Sequence, residues 1–318
     1  MRKFIGIERL DILDDRWYEV THEVDKKEVK QMFASVTHKL GVMPINEGLK
    51  MYFKTTGFNG DLFFKLQAEF GSAAHSLVQA VLTKHPVKLL DHPPRVEVYD
   101  IGMKPEEIKA VDGLPLDNVA PSVKPTELWE RYGYWTNFWH DLTQKYEVEI
   151  VDVEYMVFDT TLKTAGTVDF HMRIKRKPEK DEKAVDLWKN IVVDWKFGNS
   201  IQESHKIQIA TYATMTSGLI DEAWLVHIPR KKLNDDGYSV SVIKDEPEYW
   251  KSGAKKGKQK GKTITQLFEE FKLYNKVWNI KNPNAKPKNK SMEVVSSLEM
   301  ISKKPLFIEE KADAKPTR

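Results

Sequence analysis

The 318-residue chain contains no cysteine. Disulfides, iron–sulfur clusters, thiolate zinc sites and cysteine nucleophiles are excluded together, and any metal must be held by oxygen and nitrogen ligands. No run of about 18 apolar residues occurs, so no transmembrane helix is expected. The opening MRKFIGIERLDILDD meets acidic residues too early for a signal-peptide core. The expectation is a soluble, cytoplasmic protein. A surplus of one charge is also missing: 50 Lys and Arg against 47 Asp and Glu leave a formal +3. Total charge therefore announces no nucleic-acid partner, and clustering has to be sought instead. Hydrophobic residues at 41% and charged residues at 31% are ordinary for a globular protein. The length suits one large domain or two ordinary ones.

Arg16–Val20 and Phe33–Thr37 read as short strands. From Gly60 to Thr83 apolar residues recur at three- and four-residue steps, which predicts a helix ended by Pro86. Residues 86–126 hold seven prolines and read as an irregular, exposed connection. A second helix is expected over Thr126–Tyr146. Its dense aromatics, Trp129, Trp135, Phe138 and Trp139, are read as core rather than as a base-stacking surface. The period then changes to two. Val148–Phe158 suggests a strand or two, Thr167–Ile174 another, and Ile191–Lys196, rich in β-branched residues, a buried one. Lys175–Lys189 is the charged tip between the last two. Lys206–Met215 is expected as helix and Ala223–Ile228 as strand. This order predicts an α/β fold with a mixed sheet.

Beyond Trp250 the composition shifts. Lys251–Lys262 carries six lysines and no acid, and reads as a solvated loop or a flexible arm for phosphates. A helix over Ile264–Trp278 follows. The tail 281–318, with nine basic and five acidic residues, reads as partly disordered.

Three segments hold the chemistry: Gly166-Thr-Val-Asp169, Asp194-Trp-Lys196 and Gln208-Ile-Ala-Thr-Tyr212. If the strands ending near Asp169 and Asp194 pair, two carboxylates lie side by side and repel unless a cation sits between them. A hard divalent ion, Mg²⁺ or Mn²⁺, relieves that repulsion. Lys196, two residues beyond Asp194, shares its face of the strand. An ammonium there can polarise a water or stabilise charge on a phosphate. Carboxylates, metal and lysine are the parts phosphodiester hydrolysis needs.

Taken in order, these segments resemble the PD-(D/E)xK nuclease superfamily, specifically its RecB-like, phage-type exonuclease branch. Gly71-Ser-Ala-Ala-His75 resembles the helical Gly-x-x-x-His. Glu154 followed by Gly166-Thr-Val-Asp169 resembles the paired strands, Asp194-Trp-Lys196 the D-x-K, and Gln208 to Tyr212 the Q-x-x-x-Y helix. Phe33-Ala-Ser-Val-Thr37 resembles the S-V-T segment of phage-type members. The resemblance spans about residues 30–230. It implies a restriction-endonuclease-like core, a mixed central sheet flanked by helices, with helical N-terminal additions and a flexible C-terminal tail. A single domain over 1–280, with core motifs about 60–230, and a tail over 281–318 follow from it.

The resemblance implies Asp169, Asp194, His75 and the Trp195 backbone carbonyl as ligands of Mg²⁺ or Mn²⁺. Lys196 would position or polarise the attacking water. Gln208 and Tyr212 would orient Lys196 or the scissile phosphate, and Glu154 would support the metal shell or the lysine. Lys255, Lys256, Lys258, Lys260 and Lys262 are candidate DNA contacts. No iron–sulfur cluster is possible without cysteine. ATP is not expected, because the position where a phosphate loop needs its second glycine is Lys256. The function implied is a metal-dependent deoxyribonuclease, an exonuclease of phage-type recombination, repair or genome processing, in the host cytoplasm if phage-encoded. DNA, single- or double-stranded, and a recombination or helicase protein are its implied partners. Two alternatives stand beside it: a non-catalytic DNA-binding or assembly protein that keeps the fold, and a metallohydrolase of small phosphoesters.

Overall fold

The computed structural model describes residues 3–12, 15–24, 26–45, 50–51, 68, 70–72, 74–75, 77–79, 81–83, 125–178, 187–229 and 234–287. It divides into two compact units, one of residues 1–44, 137–234 and 238–294, the other of 45–136, 235–237 and 295–318. Most of the proline-rich 86–126 stretch, the charged tip at 179–186 and the tail beyond 287 lie outside the described residues.

The first unit is α/β. Eight strands form one mixed sheet: β1 (Lys3–Ile12), β2 (Asp15–Val24), β3 (Lys27–Ser35), β4 (Tyr146–Asp159), β5 (Thr164–Arg176), β6 (Trp188–Lys196), β7 (Glu222–His227) and β8 (Ser239–Lys244). The order runs β1-β2-β3-β5-β6-β7-β8, with β4 pairing β5. β3–β5 and β6–β7 are parallel, the other pairs antiparallel. Among the described residues, four helices accompany the strands: α1 (Val36–Leu40), α2 (Pro125–Lys145, entering this unit at Asn137), α3 (Glu203–Met215) and α4 (Ile264–Lys281).

β6 shows why the sheet is covered on both sides. Its Ile191-Val-Val run is fully buried, as a central strand with a parallel neighbour requires. Val192 joins the core cluster that holds Ile207 and Tyr212 of α3 and Leu267 and Phe271 of α4. Trp195, three residues on and on the opposite face, packs against Phe138 of α2 with ring centroids 5.7 Å apart. Phe138 is therefore core, as the sequence suggests. α4 starts at a capping box, with Thr263 Oγ1 accepting from the Gln266 amide at 3.2 Å and Gln266 Oε1 accepting from the Thr263 amide at 3.0 Å.

The N-terminal region is where the expectation of helical additions fails. Residues 3–12, 15–24 and 27–35 form three long antiparallel strands, and Ser35 caps only a five-residue helix. Charge hides the period here. Lys27–Lys30 of β3 are exposed, and so are Phe4 and Ile5 at this sheet edge, so apolar residues do not alternate cleanly with polar ones. β8 extends the other edge with exposed Ser239 and Val242; its short Ser-Val-Ser-Val alternation is not among the strands expected from the sequence.

β5 is the hub. One of its edges carries β4 along the whole length, from Asp159↔Thr164 to Tyr146↔Arg176. The opposite edge is shared. β3 pairs only with Thr164 and Ala165, and β6 only with Phe170 to Lys175. Between these ladders lies a fork, and the residues in the gap are Gly166-Thr-Val-Asp169.

In the second unit, Phe70, Ala74, Leu77, Val78 and Leu82 are buried helical residues, in agreement with the three- and four-residue period expected there; the part of that helix expected over 60–67 lies outside the described residues. No helix among the described residues is long and apolar enough to cross a membrane.

Candidate active site

The fork in the sheet assembles the site from side chains. At its β2 side, the Tyr18 hydroxyl hydrogen-bonds Thr167 Oγ1 at 3.0 Å in a buried position. At its α3 side, the ring of Tyr212 lies over Gly166. A Cβ at residue 166 would stand 2.2 Å from Tyr212 Cε1, so only glycine lets the ring approach. At the β6 end, Asp169 Oδ2 accepts the Trp195 amide at 2.9 Å. A side chain thus takes a backbone donor just past the last β5–β6 pair, Phe170↔Val193.

Three carboxylates meet here. The register brackets Glu154 opposite Asp169, since Val153 pairs with Phe170 and Tyr155 with Val168, and opposed residues of an antiparallel pair project side by side. A carboxylate oxygen of Glu154 and one of Asp169 lie within 4.8 Å. Glu154 holds a left-handed backbone, φ +52°. For a non-glycine residue this costs about 1–2 kcal/mol and is the kind of strain that collects at functional positions. Asp194, 2% exposed, stands two residues before Lys196, whose Nζ lies 2.6 Å from Asp194 Oδ2. That ammonium meets the oxygen off its hydrogen-bonding direction, so the contact is an ion pair.

Electrostatics follow from this crowding. Burial pushes the Glu154 carboxyl up to about 8, with the charges of Asp169 and Asp194 adding to the rise and Arg9 and Arg16 opposing it. Burial also raises Asp169, against the pull of Lys196, the Trp195 amide and Arg16. Removing charged carboxylates from water disfavours ionisation, and neighbouring like charges disfavour it further. A cation among them reverses both effects, so the donor set fits a hard divalent ion bound by oxygen.

α3 completes the arrangement. Gln208 and Tyr212, one turn apart, share a helix face. Gln208 Nε2 donates to the Tyr212 hydroxyl at 3.0 Å, and Gln208 Oε1 accepts from Lys196 Nζ at 3.4 Å. Lys196 is therefore held between Asp194 and Gln208. His205, in the first turn of α3, accepts the Gln202 amide on Nδ1 at 3.2 Å. Burial, with the charges of Lys196 and His227, drives its pKa down to about 3, so the ring is neutral.

Of the residues singled out in the sequence, Glu154, Asp169, Asp194, Lys196, Gln208 and Tyr212 thus come together in the first unit. The Trp195 ring is buried between Phe138 and Phe170, and its amide serves Asp169. His75 belongs to the second unit, where it is half-buried on the helical segment beside buried Ala74. The lysine run is more ordered than a flexible arm. Backbone bonds Trp250 N→Lys258 O, Gly257 N→Trp250 O and Lys260 N→Glu248 O fold it into a pinned excursion. Lys256 and Lys258 are exposed, and Lys255 and Lys260 lie 5.6 and 5.5 Å from the Trp250 ring centre. Lys262 is engaged by Glu203 at 3.0 Å and Glu270 at 2.7 Å.

Sequence reasoning passes over Arg16, Tyr18, Thr167 and His205. Arg16 and Tyr18 sit two apart on a recognisable strand, a period that puts them on one face. Which face meets the acidic cluster depends on long-range pairing that the strand itself does not reveal. No protein-family model matches the chain, and a search of curated proteins returns no match.

Proposed function

We propose that this protein is a divalent-metal-dependent nuclease that hydrolyses DNA phosphodiester bonds, built on a restriction-endonuclease-like core. The observation that carries the reading is the convergence of Glu154, Asp169 and Asp194, with Lys196 ion-paired to Asp194 and held by Gln208. Two half-buried carboxylates with raised pKa values, next to a buried one ion-paired to a lysine, are a costly arrangement unless they serve chemistry.

A bound Mg²⁺ or Mn²⁺ would neutralise the carboxylates, polarise the phosphate and help to ionise a water. Asp169 and Asp194 would hold it, with Glu154 beside them. Lys196 orients the attacking water and offsets the charge that develops on the phosphate oxygens. Asp194 and Gln208 fix the ammonium from two sides, so little reorganisation is needed at the moment of attack. Tyr212 positions Gln208 and packs on Gly166. His75 is proposed as a further ligand by sequence resemblance. An exonuclease of phage-type recombination, repair or genome processing fits the ordered motifs, with the exposed Lys255, Lys256, Lys258 and Lys260 as contacts for the DNA backbone.

End-labelled single- and double-stranded DNA incubated with the protein and Mg²⁺ or Mn²⁺ tests the proposal. Cleavage is expected, abolished by EDTA and reduced about 10²–10⁴-fold by Lys196→Ala. Asp194→Asn should cost at least as much. A purified, folded wild-type protein that leaves both substrates intact, indistinguishably from Lys196→Ala, would overturn it and leave the DNA-binding scaffold as the better reading.

A further inference from the structure

Away from the fork and its carboxylates, charge of one sign collects on the excursion between β8 and α4. Residues 249–262 carry six lysines and no acid. Lys251, Lys255, Lys256 and Lys258 are exposed, and none has an acidic partner among the described residues. Lys260 meets Glu248 at 3.6 Å, and Lys262 is taken up by Glu203 and Glu270. Among these cations stands an aromatic side chain that the core does not use. Trp250 is 40% exposed. Lysines alone would make a solvated loop, but a surface indole beside them contributes little to packing and nothing to solubility.

The excursion is a fixed platform. Trp250 N→Lys258 O and Lys260 N→Glu248 O close its neck, Tyr249 forms a bridge with Gln259, and Gln259 Nε2 donates to Gln266 Oε1 at the start of α4 at 2.9 Å. The ammoniums of Lys255 and Lys260, 5.6 and 5.5 Å from the indole centre, are within the reach of about 6 Å for a cation–π contact. Ring and charges are thus held together before a ligand arrives, which lowers the ordering cost of binding. Through Glu203, Lys262 ties the platform to the first turn of α3, the helix that carries Gln208. None of the residues 249–262 joins the carboxylate cluster.

A π face beside unpaired ammoniums complements a ligand that offers a flat ring and an anion in repeating succession. Nucleic acid does so, and a single strand does so best, because a duplex hides its base faces in its own stack. An acidic peptide brings the anions without the rings. We propose that Trp250, with Lys255, Lys256 and Lys258, is a docking site for single-stranded DNA, one base stacking on the indole and the flanking phosphates lying on the lysines. On arrival of the strand, Lys255 exchanges its cation–π contact for a charge-assisted bond to phosphate and clears the ring. The proposal deepens the nuclease reading by naming the strand form received, and it rests on that reading for the choice of DNA; binding itself needs no cleavage.

Fluorescence anisotropy of labelled dT20 with the full chain in EDTA tests it. Wild type should bind, and log K should fall with log salt at a slope of about −2 for three phosphates contacted. Trp250→Ala should weaken dT20 about tenfold at unchanged slope, and Trp250→Phe should restore most of the loss, as stacking requires. The same Trp250→Ala change should leave binding of a blunt 20-base-pair duplex unaltered. Lys255→Ala, Lys256→Ala and Lys258→Ala combined should flatten the slope by about 2; this second variant tests the site if Trp250→Ala fails to fold by circular dichroism. No binding by wild type, equal binding by the folded variants, or an equal loss on duplex and single strand overturns the site. Labelled U20 bound tenfold tighter than dT20 overturns the choice of DNA. Poly-L-glutamate displacing dT20 at equal charge concentration assigns the patch to acidic peptides instead. Cleavage assays on the same preparations separate the two readings. A wild type that cuts DNA without binding dT20 in EDTA removes the docking site and keeps the nuclease; one that binds dT20 and never cuts does the reverse.

Discussion

Glu154 concentrates the consequences of burying charge. Its carboxyl is raised from an ordinary 4.5 to about 8. Between those values the folded protein binds a proton that the unfolded chain has released, so this group's stabilisation is full below about pH 4.5 and is lost as pH rises through about 8. Metal-free protein should therefore show a falling melting temperature from pH 5 to pH 8. Glu154→Gln, which stays neutral, should flatten that slope and melt higher than wild type at pH 8. An unchanged slope in the variant would mean that Glu154 is not the buried acid described. Gly166 is a second residue whose role is steric. Adding one methyl drives it into the Tyr212 ring, and overpacking of this kind typically costs about 1–3 kcal/mol. Gly166→Ala should lower the melting temperature and also the cleavage rate, because Tyr212 carries Gln208 with it. In a double-mutant cycle with Tyr212→Leu the losses should be less than additive; strict additivity would rule out the contact as their cause.

At the level of elements, the hairpin that carries Glu154 and Asp169 is tied down far from the carboxylates. Lys39 of α1, 1% exposed, donates to the carbonyls of Leu162 and Lys163 at 2.8 and 2.9 Å and to Asn275 Oδ1 of α4 at 2.6 Å. Its ammonium also lies 5.3 Å from the Trp278 ring centre. Burial brings its pKa down to about 7, while these acceptors satisfy its protons. Lys39→Ala would take the donor from the buried Asn275 amide and from two carbonyls nearer the surface, and leave a cavity between three elements. A loss of about 3–5 kcal/mol is expected, read by urea denaturation, with the hairpin turn at 160–163 showing the earliest hydrogen exchange. A loss below 1 kcal/mol would show that the clamp is incidental. The elements themselves were largely legible. α3, α4, β6 and β7 follow from their apolar periods, and α2 from its dense aromatics. The N-terminal strands were legible only in fragments, since their exposed charged faces blur the alternation that marks a strand.

For the whole molecule, a small net charge coexists with sharp local segregation. Acidic groups gather at the fork, and lysines gather on the excursion before α4. Adding Mn²⁺ should raise the melting temperature of the wild-type protein by mass action, and by much less in Asp169→Asn and Asp194→Asn. An equal shift in all three proteins would locate the ion elsewhere. His75→Ala tests, by the same thermal shift, the one proposed ligand that lies in the other unit.

The sequence alone determined the chemistry available. It excluded thiolate ligands, ordered the carboxylates, lysine, glutamine and tyrosine along the chain, and set the helix and strand periods, because these are local properties of side chains and spacing. Only the tertiary structure decided that β3 and β6 share one edge of β5 and leave Gly166–Asp169 between them. It also decided that Arg16 and Tyr18 face that gap and that the lysine run closes on Trp250. Strand pairing joins residues more than a hundred positions apart, and no local period encodes which edges meet.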